Sequence, residues 1–162
     1  MNGSTAVALV LLAPSAAGGT LEWLGGDPYD GDPYGFTSGR VWLSIGDVAS
    51  IDGPGDPGNT LLAIDLSREI AQAWPDADVR ITGIAWNTAL TTLGDSRLSD
   101  ASALFYAWAG TVDQGLLLTP GDGVDTPGSG RFDSGGFVDL GDEGLPDFTL
   151  AGGLLVVEFF ER

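Results

Sequence analysis

Val79-Arg80-Ile81-Thr82-Gly83-Ile84-Ala85-Trp86-Asn87-Thr88-Ala89-Leu90-Thr91-Thr92 decides the fold class. Its large apolar residues fall at 79, 81, 84, 86 and 90, alternating with polar or small ones as in a strand with one buried face. The alternation slips by one residue at Gly83, which predicts a β-bulge that moves the inward set from odd to even positions. Trp86 then belongs to the core rather than to a ligand platform.

Similar runs, bounded by Gly, Pro, Asn and Asp, predict strands at Thr20–Leu24, Arg40–Ile45, Thr60–Leu66, Ala101–Ala109, Gly115–Leu118, Gly136–Leu140 and Leu154–Phe160. One stretch has helical character. Ser67 to Trp74 has a Ser cap, good helix formers and a stop at Pro75, giving at most two turns. Many short strands and at most one short helix predict an all-β fold, an antiparallel β-sandwich of jelly-roll type. Residues 18–162 are expected to form a single domain, with a core supplied by 43% hydrophobic content. Trp42 and Trp108 fall within expected strands, where core packing is the expectation.

Residues 1–17 have two readings. The apolar run Ala6–Ala13, followed by Pro14-Ser15-Ala16-Ala17, resembles the end of a secretory signal, the alternative being a buried first strand.

The chain has 18 Asp, 5 Glu and 6 Arg, with no Lys, His or Cys. Imidazole and thiolate nucleophile pairs, Schiff-base lysines and His/Cys zinc sites are therefore excluded. Carboxylate pairs could in principle hydrolyse glycosides, but 23 acidic residues make chance pairs common, and the expectation is a protein without enzymatic activity. A net charge of −17 opposes nucleic acid and charge-driven membrane binding. Extracellular polysaccharide or other copies of the chain are the partners that remain.

Most aspartates sit beside Gly or Pro, where a short carboxylate caps turns. Two clusters are dense enough to suggest a hard cation, calcium being the cofactor that oxygen donors on flexible loops would suit. Asp27, Asp30 and Asp32 lie in the tandem repeat Gly26-Asp27-Pro28-Tyr29-Asp30 and Gly31-Asp32-Pro33-Tyr34-Gly35. Asp122 and Asp125 begin a second cluster that continues to Asp133 and Asp139, with Arg131 able to neutralise one of its acids. Neither matches an EF-hand loop. Tyr29 and Tyr34 are the aromatic residues best placed to stack on a sugar, which leaves a carbohydrate-binding module as an alternative. A further alternative is a self-assembling surface or filament subunit, with the segment Ala6–Ala13 filling an open sheet edge by strand exchange.

From Gly55-Asp56-Pro57-Gly58-Asn59-Thr60, through Ile81 to Ala101, Leu117-Leu118-Thr119-Pro120-Gly121 and Ser134 to Leu140, and ending at Val157-Glu158-Phe159-Phe160-Glu161, the sequence resembles secreted bacterial proteins that carry a PEP-CTERM sorting signal. The similarity covers about two thirds of the chain. It departs at Arg97, where Trp is usual, and no Pro-Glu-Pro motif, apolar helix or basic tail follows Arg162. What it implies is export and a role at the cell surface or in the extracellular matrix; it brings no catalytic residues.

Overall fold

The computed structural model describes residues 4–12, 21–24, 37–45, 48–66, 78–108 and 115–162. The chain is all-β in a sandwich-like arrangement. Its strands are β1 (Ser4–Leu12), β2 (Leu21–Leu24), β3 (Thr37–Ser44), β4 (Thr60–Asp65), β5 (Asp78–Thr91), β6 (Ala101–Ala107), β7 (Leu116–Leu118), β8 (Ser129–Asp133), β9 (Val138–Asp139), β10 (Phe148–Leu150) and β11 (Leu154–Glu161). The expected helix at 67–74 lies outside the described residues.

The first sheet is organised by β5. One edge of this long strand pairs in turn with β10 near residues 79–81, β9 at Gly83–Ile84 and β8 at Asn87–Thr91. Its other edge pairs with β1, which is followed by β3 and then β2. The expected bulge is present: Ile81 faces Val7 and Gly83 faces Ala8, so Thr82 is the extra residue. The Thr82 carbonyl accepts the Leu140 N–H at 2.9 Å. Val79 and Ile81 before the bulge, and Ile84 and Trp86 after it, all face the core, as the slipped alternation requires. One strand departs from antiparallel pairing. β1, the apolar run read as a leader remnant or a first strand, runs parallel to both of its neighbours.

The second sheet, in the order β4-β11-β6-β7, is antiparallel throughout. In β4, Thr60, Leu62 and Ile64 turn inward while Leu61, Ala63 and Asp65 are exposed. The chain passes between the sheets at Ala151–Gly153, where Gly152 and Gly153 take φ 71°, a backbone conformation that favours glycine. The core lies between the sheets. Val79, Ile81, Leu140 and Leu150 from the first meet Phe105, Leu118, Leu155 and Val157 from the second.

Trp86 packs against this core, and its buried indole N–H finds no acceptor among the described residues, so the ring contributes volume rather than a hydrogen bond. Trp108 departs from its expectation. Ala103, Phe105 and Ala107 of β6 point inward, so the next position points outward, and Trp108 is 62% exposed.

Candidate functional site

The aspartates mostly serve their own loops. Asp56 Oδ1 accepts the Gly58 N–H at 2.7 Å, Asp133 Oδ1 that of Gly135 at 2.8 Å, and Asp139 Oδ1 those of Gly141 at 2.8 Å and Asp142 at 3.3 Å. Asp100 Oδ2 accepts the Arg97 N–H at 2.8 Å. Each closes a turn by replacing a backbone acceptor with a carboxylate.

Asp125 accepts a hydrogen bond from Ser99 Oγ at 2.8 Å, which ties its loop to the segment after β5. Two backbone bonds, Leu98 N–H to Thr126 O at 3.1 Å and Thr92 N–H to Gly128 O at 2.9 Å, make the same attachment. Asp122 is exposed in a turn stabilised by the Val124 N–H to Gly121 O bond, with Gly123 at φ 79°. Among the described residues no three acidic side chains are grouped to hold a metal ion, and Arg80 forms an ion pair with Asp147. Asp27, Asp30, Asp32, Tyr29 and Tyr34 lie outside the described residues.

A polar contact of another kind sits on the outward face of the second sheet. Glu158, in the middle of β11, is only 1% exposed. Its Oε1 accepts the Gly55 N–H at 2.6 Å and Asn59 Nδ2 at 3.0 Å, so the Gly55-Asp56-Pro57-Gly58-Asn59 turn is clasped onto the strand. Asn59 completes the clasp by donating to Gly53 O at 2.9 Å and accepting from Ile51 N–H at 3.2 Å. Farther along, the Glu161 N–H donates to Asp52 O at 3.2 Å. The quoted Gly-Asp-Pro-Gly-Asn motif is therefore a structural latch whose counterpart is about a hundred residues away. The chain matches no protein-family model, no curated protein and no solved structure.

Tyr106 shares this face. Burial first, and then the Glu158 carboxylate, raise its phenol above the ordinary tyrosine value. The neutral phenol is thus favoured in the folded state, and the stability it contributes is present below pH about 10 and lost as pH rises through the raised value. Ultraviolet titration should place the Tyr106 ionisation above the ordinary tyrosine range, and Glu158→Gln should move it part of the way back. A late phase unchanged in that variant would mean that Glu158 has no influence on it.

The outward face of the first sheet is the other candidate. The β5–β8 register sets Asn87 opposite Asp133, Ala89 opposite Arg131 and Thr91 opposite Ser129, and all six are exposed. The Thr91 and Ser129 hydroxyls are 3.0 Å apart. Beyond Asp133 the chain is held to β5 by Ser134, whose N–H donates to Trp86 O at 2.9 Å and whose Oγ accepts the Trp86 N–H at 3.1 Å. That attachment delivers Phe137 to the same face. It precedes the Val138–Ile84 pair, its ring occupies the space a Cβ at Gly83 would need, and it is 40% exposed. No search for Tyr and Trp platforms would have found it.

Proposed function

We propose that the protein is a non-enzymatic component of the cell surface or extracellular matrix, a rigid acidic β-sandwich steadied by calcium where its loops supply oxygen donors. The observation that carries this reading is the use of Asp56, Asp100, Asp125, Asp133 and Asp139 as turn and loop ties. Carboxylates committed to backbone and hydroxyl donors stiffen loops. They are poorly placed for proton transfer to a substrate. The PEP-CTERM-like segments support export, and the net charge of −17 suits a protein that meets cations and neutral polymers.

Two measurements test the reading. Labelling intact and permeabilised producing cells with an antibody should find the protein outside; signal only after permeabilisation overturns it. Calorimetric melting in millimolar calcium should raise the melting temperature more than sodium chloride of equal ionic strength does. An equal response to both salts removes calcium from the proposal.

A second reading, assembly by strand exchange, is favoured by one observation. β1 is hydrogen-bonded between β3 and β5 and parallel to both, so a β1 from another copy would make the same pairs. Light scattering during the same calcium titration tests it, since a monodisperse monomer at high concentration is incompatible with exchange.

A further inference from the structure

We propose that the outward face of β5, β8 and β9 binds a neutral polysaccharide strand lying along β5, with Phe137 as its stacking platform. The inference rests on the extracellular reading for where such a polymer is met, while its contact chemistry stands on the face itself.

The face is long, open and chemically mixed. From Gly83 to Thr91 it runs for about 27 Å at the rise of an extended strand. Phe137 lies at one end, and beyond it come three cross-strand rows that present an amide with a carboxylate, a methyl with a guanidinium, and two hydroxyls. Ala89 in the middle row keeps the surface low, so a flat ligand can reach both strands. Asn87 and the hydroxyls both donate and accept, Arg131 only donates, and Asp133 only accepts. A polyhydroxylated chain can answer all of these groups, because each sugar hydroxyl is donor and acceptor together.

Charge narrows the class further. Arg131 and Asp133 are neighbours on β8, two residues apart on one face, and the exposed Asp139 of β9 stands opposite Gly83, so the patch sets one guanidinium against two carboxylates and is far less one-sided than the −17 of the whole chain. A polyanion would meet Asp133 and the repulsion of the whole chain, and a polycation would meet Arg131. A neutral ligand meets neither. Phe137, 40% exposed, supplies what the polar rows lack, an aromatic ring, whose electron-rich face attracts the C–H groups of a pyranose. Its ring is also held in place, since it occupies the notch left by the missing side chain of Gly83.

Trp108, the other large exposed aromatic residue among the described residues, offers a control. On the outward face of the second sheet Trp108, Leu61 and Leu117 are exposed, but Leu104 and Val156 between them are buried, so no continuous platform joins the three.

The test is native affinity electrophoresis of the full chain in gels containing laminarin, dextran or xyloglucan, with alginate as the polyanion. At least one neutral polymer is expected to retard the protein. Phe137→Ala should weaken that retardation about tenfold, the effect of losing one stacked ring. Asn87→Ala and Arg131→Gln, both at exposed positions, should also weaken it, and Trp108→Ala should leave it unchanged. Absence of retardation in all three neutral gels overturns the proposal, as does retardation by alginate alone. It is equally overturned if Trp108→Ala abolishes retardation while Asn87→Ala and Arg131→Gln leave it intact. Failure here with the protein still found outside the cell overturns this site and leaves the extracellular reading standing; retardation by a protein found inside does the reverse.

Discussion

Glu158→Ala is expected to lower stability by about 3 kcal/mol, because hydrogen bonds to a charged group contribute roughly 1.5–3 kcal/mol and two are lost together. For a chain of this size that corresponds to a fall in melting temperature of about 10 °C. The physical reason is asymmetric. Removing the carboxylate leaves the Gly55 N–H and one Asn59 N–H without their acceptor against a buried strand, which costs more than two exposed bonds would. Glu158→Gln retains an acceptor oxygen and is expected to lose about half as much. Asn59→Ala breaks the same clasp from the other side, so the two losses should not add: a double variant should be more stable than the sum of the single effects predicts. Differential scanning calorimetry decides. A loss below about 0.5 kcal/mol for Glu158→Ala, the range of an ordinary surface change, would mean that the turn is not held by this contact.

The sequence shows half of that contact. Glu158 is the one acidic residue inside the apolar run Leu154–Phe160, and a run apolar on both parities signals a strand buried on both faces, where a carboxylate needs partners. Nothing in the local pattern points to Gly55 and Asn59 as those partners, because a pairing over such a separation is made by the tertiary fold alone. The same division runs through the architecture. The bulge in β5 is readable because each side chain reports its face, and a single slip at Gly83 is enough to mark it. The parallel direction of β1 is not readable, since Ser4–Leu12 would present the same apolar run to a neighbour running either way. β8 escapes notice because Phe132 is its one large apolar residue among Ser, Gly, Arg and Asp, and β10 because three residues are too few to establish a period.

The candidate face was partly legible as well. The outward set Asn87, Ala89 and Thr91 follows from the inward set of β5, but the opposing Ser129, Arg131 and Asp133 become neighbours only through the register. Trp108 illustrates a conflict between two cues. Residue type favours burial, whereas the parity of Ala103, Phe105 and Ala107 places position 108 outward, and parity prevails because the pleat fixes it. The turn-capping role of Asp133 and Asp139 was foreseeable from the glycines that follow them, since an Asx turn needs only local chain.

Gly83→Ala should cost about 3 kcal/mol, at the upper end of what overpacking a well-ordered site costs. β9 lies close against β5 at Gly83: an added Cβ would fall on the Phe137 ring and 2.6 Å from the Val138 carbonyl oxygen. The ring is the tip of a side chain that can rotate away, whereas the carbonyl belongs to a backbone paired with β5 and cannot. Two parts of the cost are therefore separable. Phe137→Ala alone, at a partly exposed position, should be mild. Combined with Gly83→Ala it should recover the share due to the ring and leave the share due to the carbonyl, so the double variant is expected to melt above Gly83→Ala and below Phe137→Ala. Full recovery would mean that β9 can shift on β5. No cost for Gly83→Ala would mean that β9 does not lie against Gly83 at all, and the ring of Phe137 would then lose the seat that holds it on the face of β5 and β8.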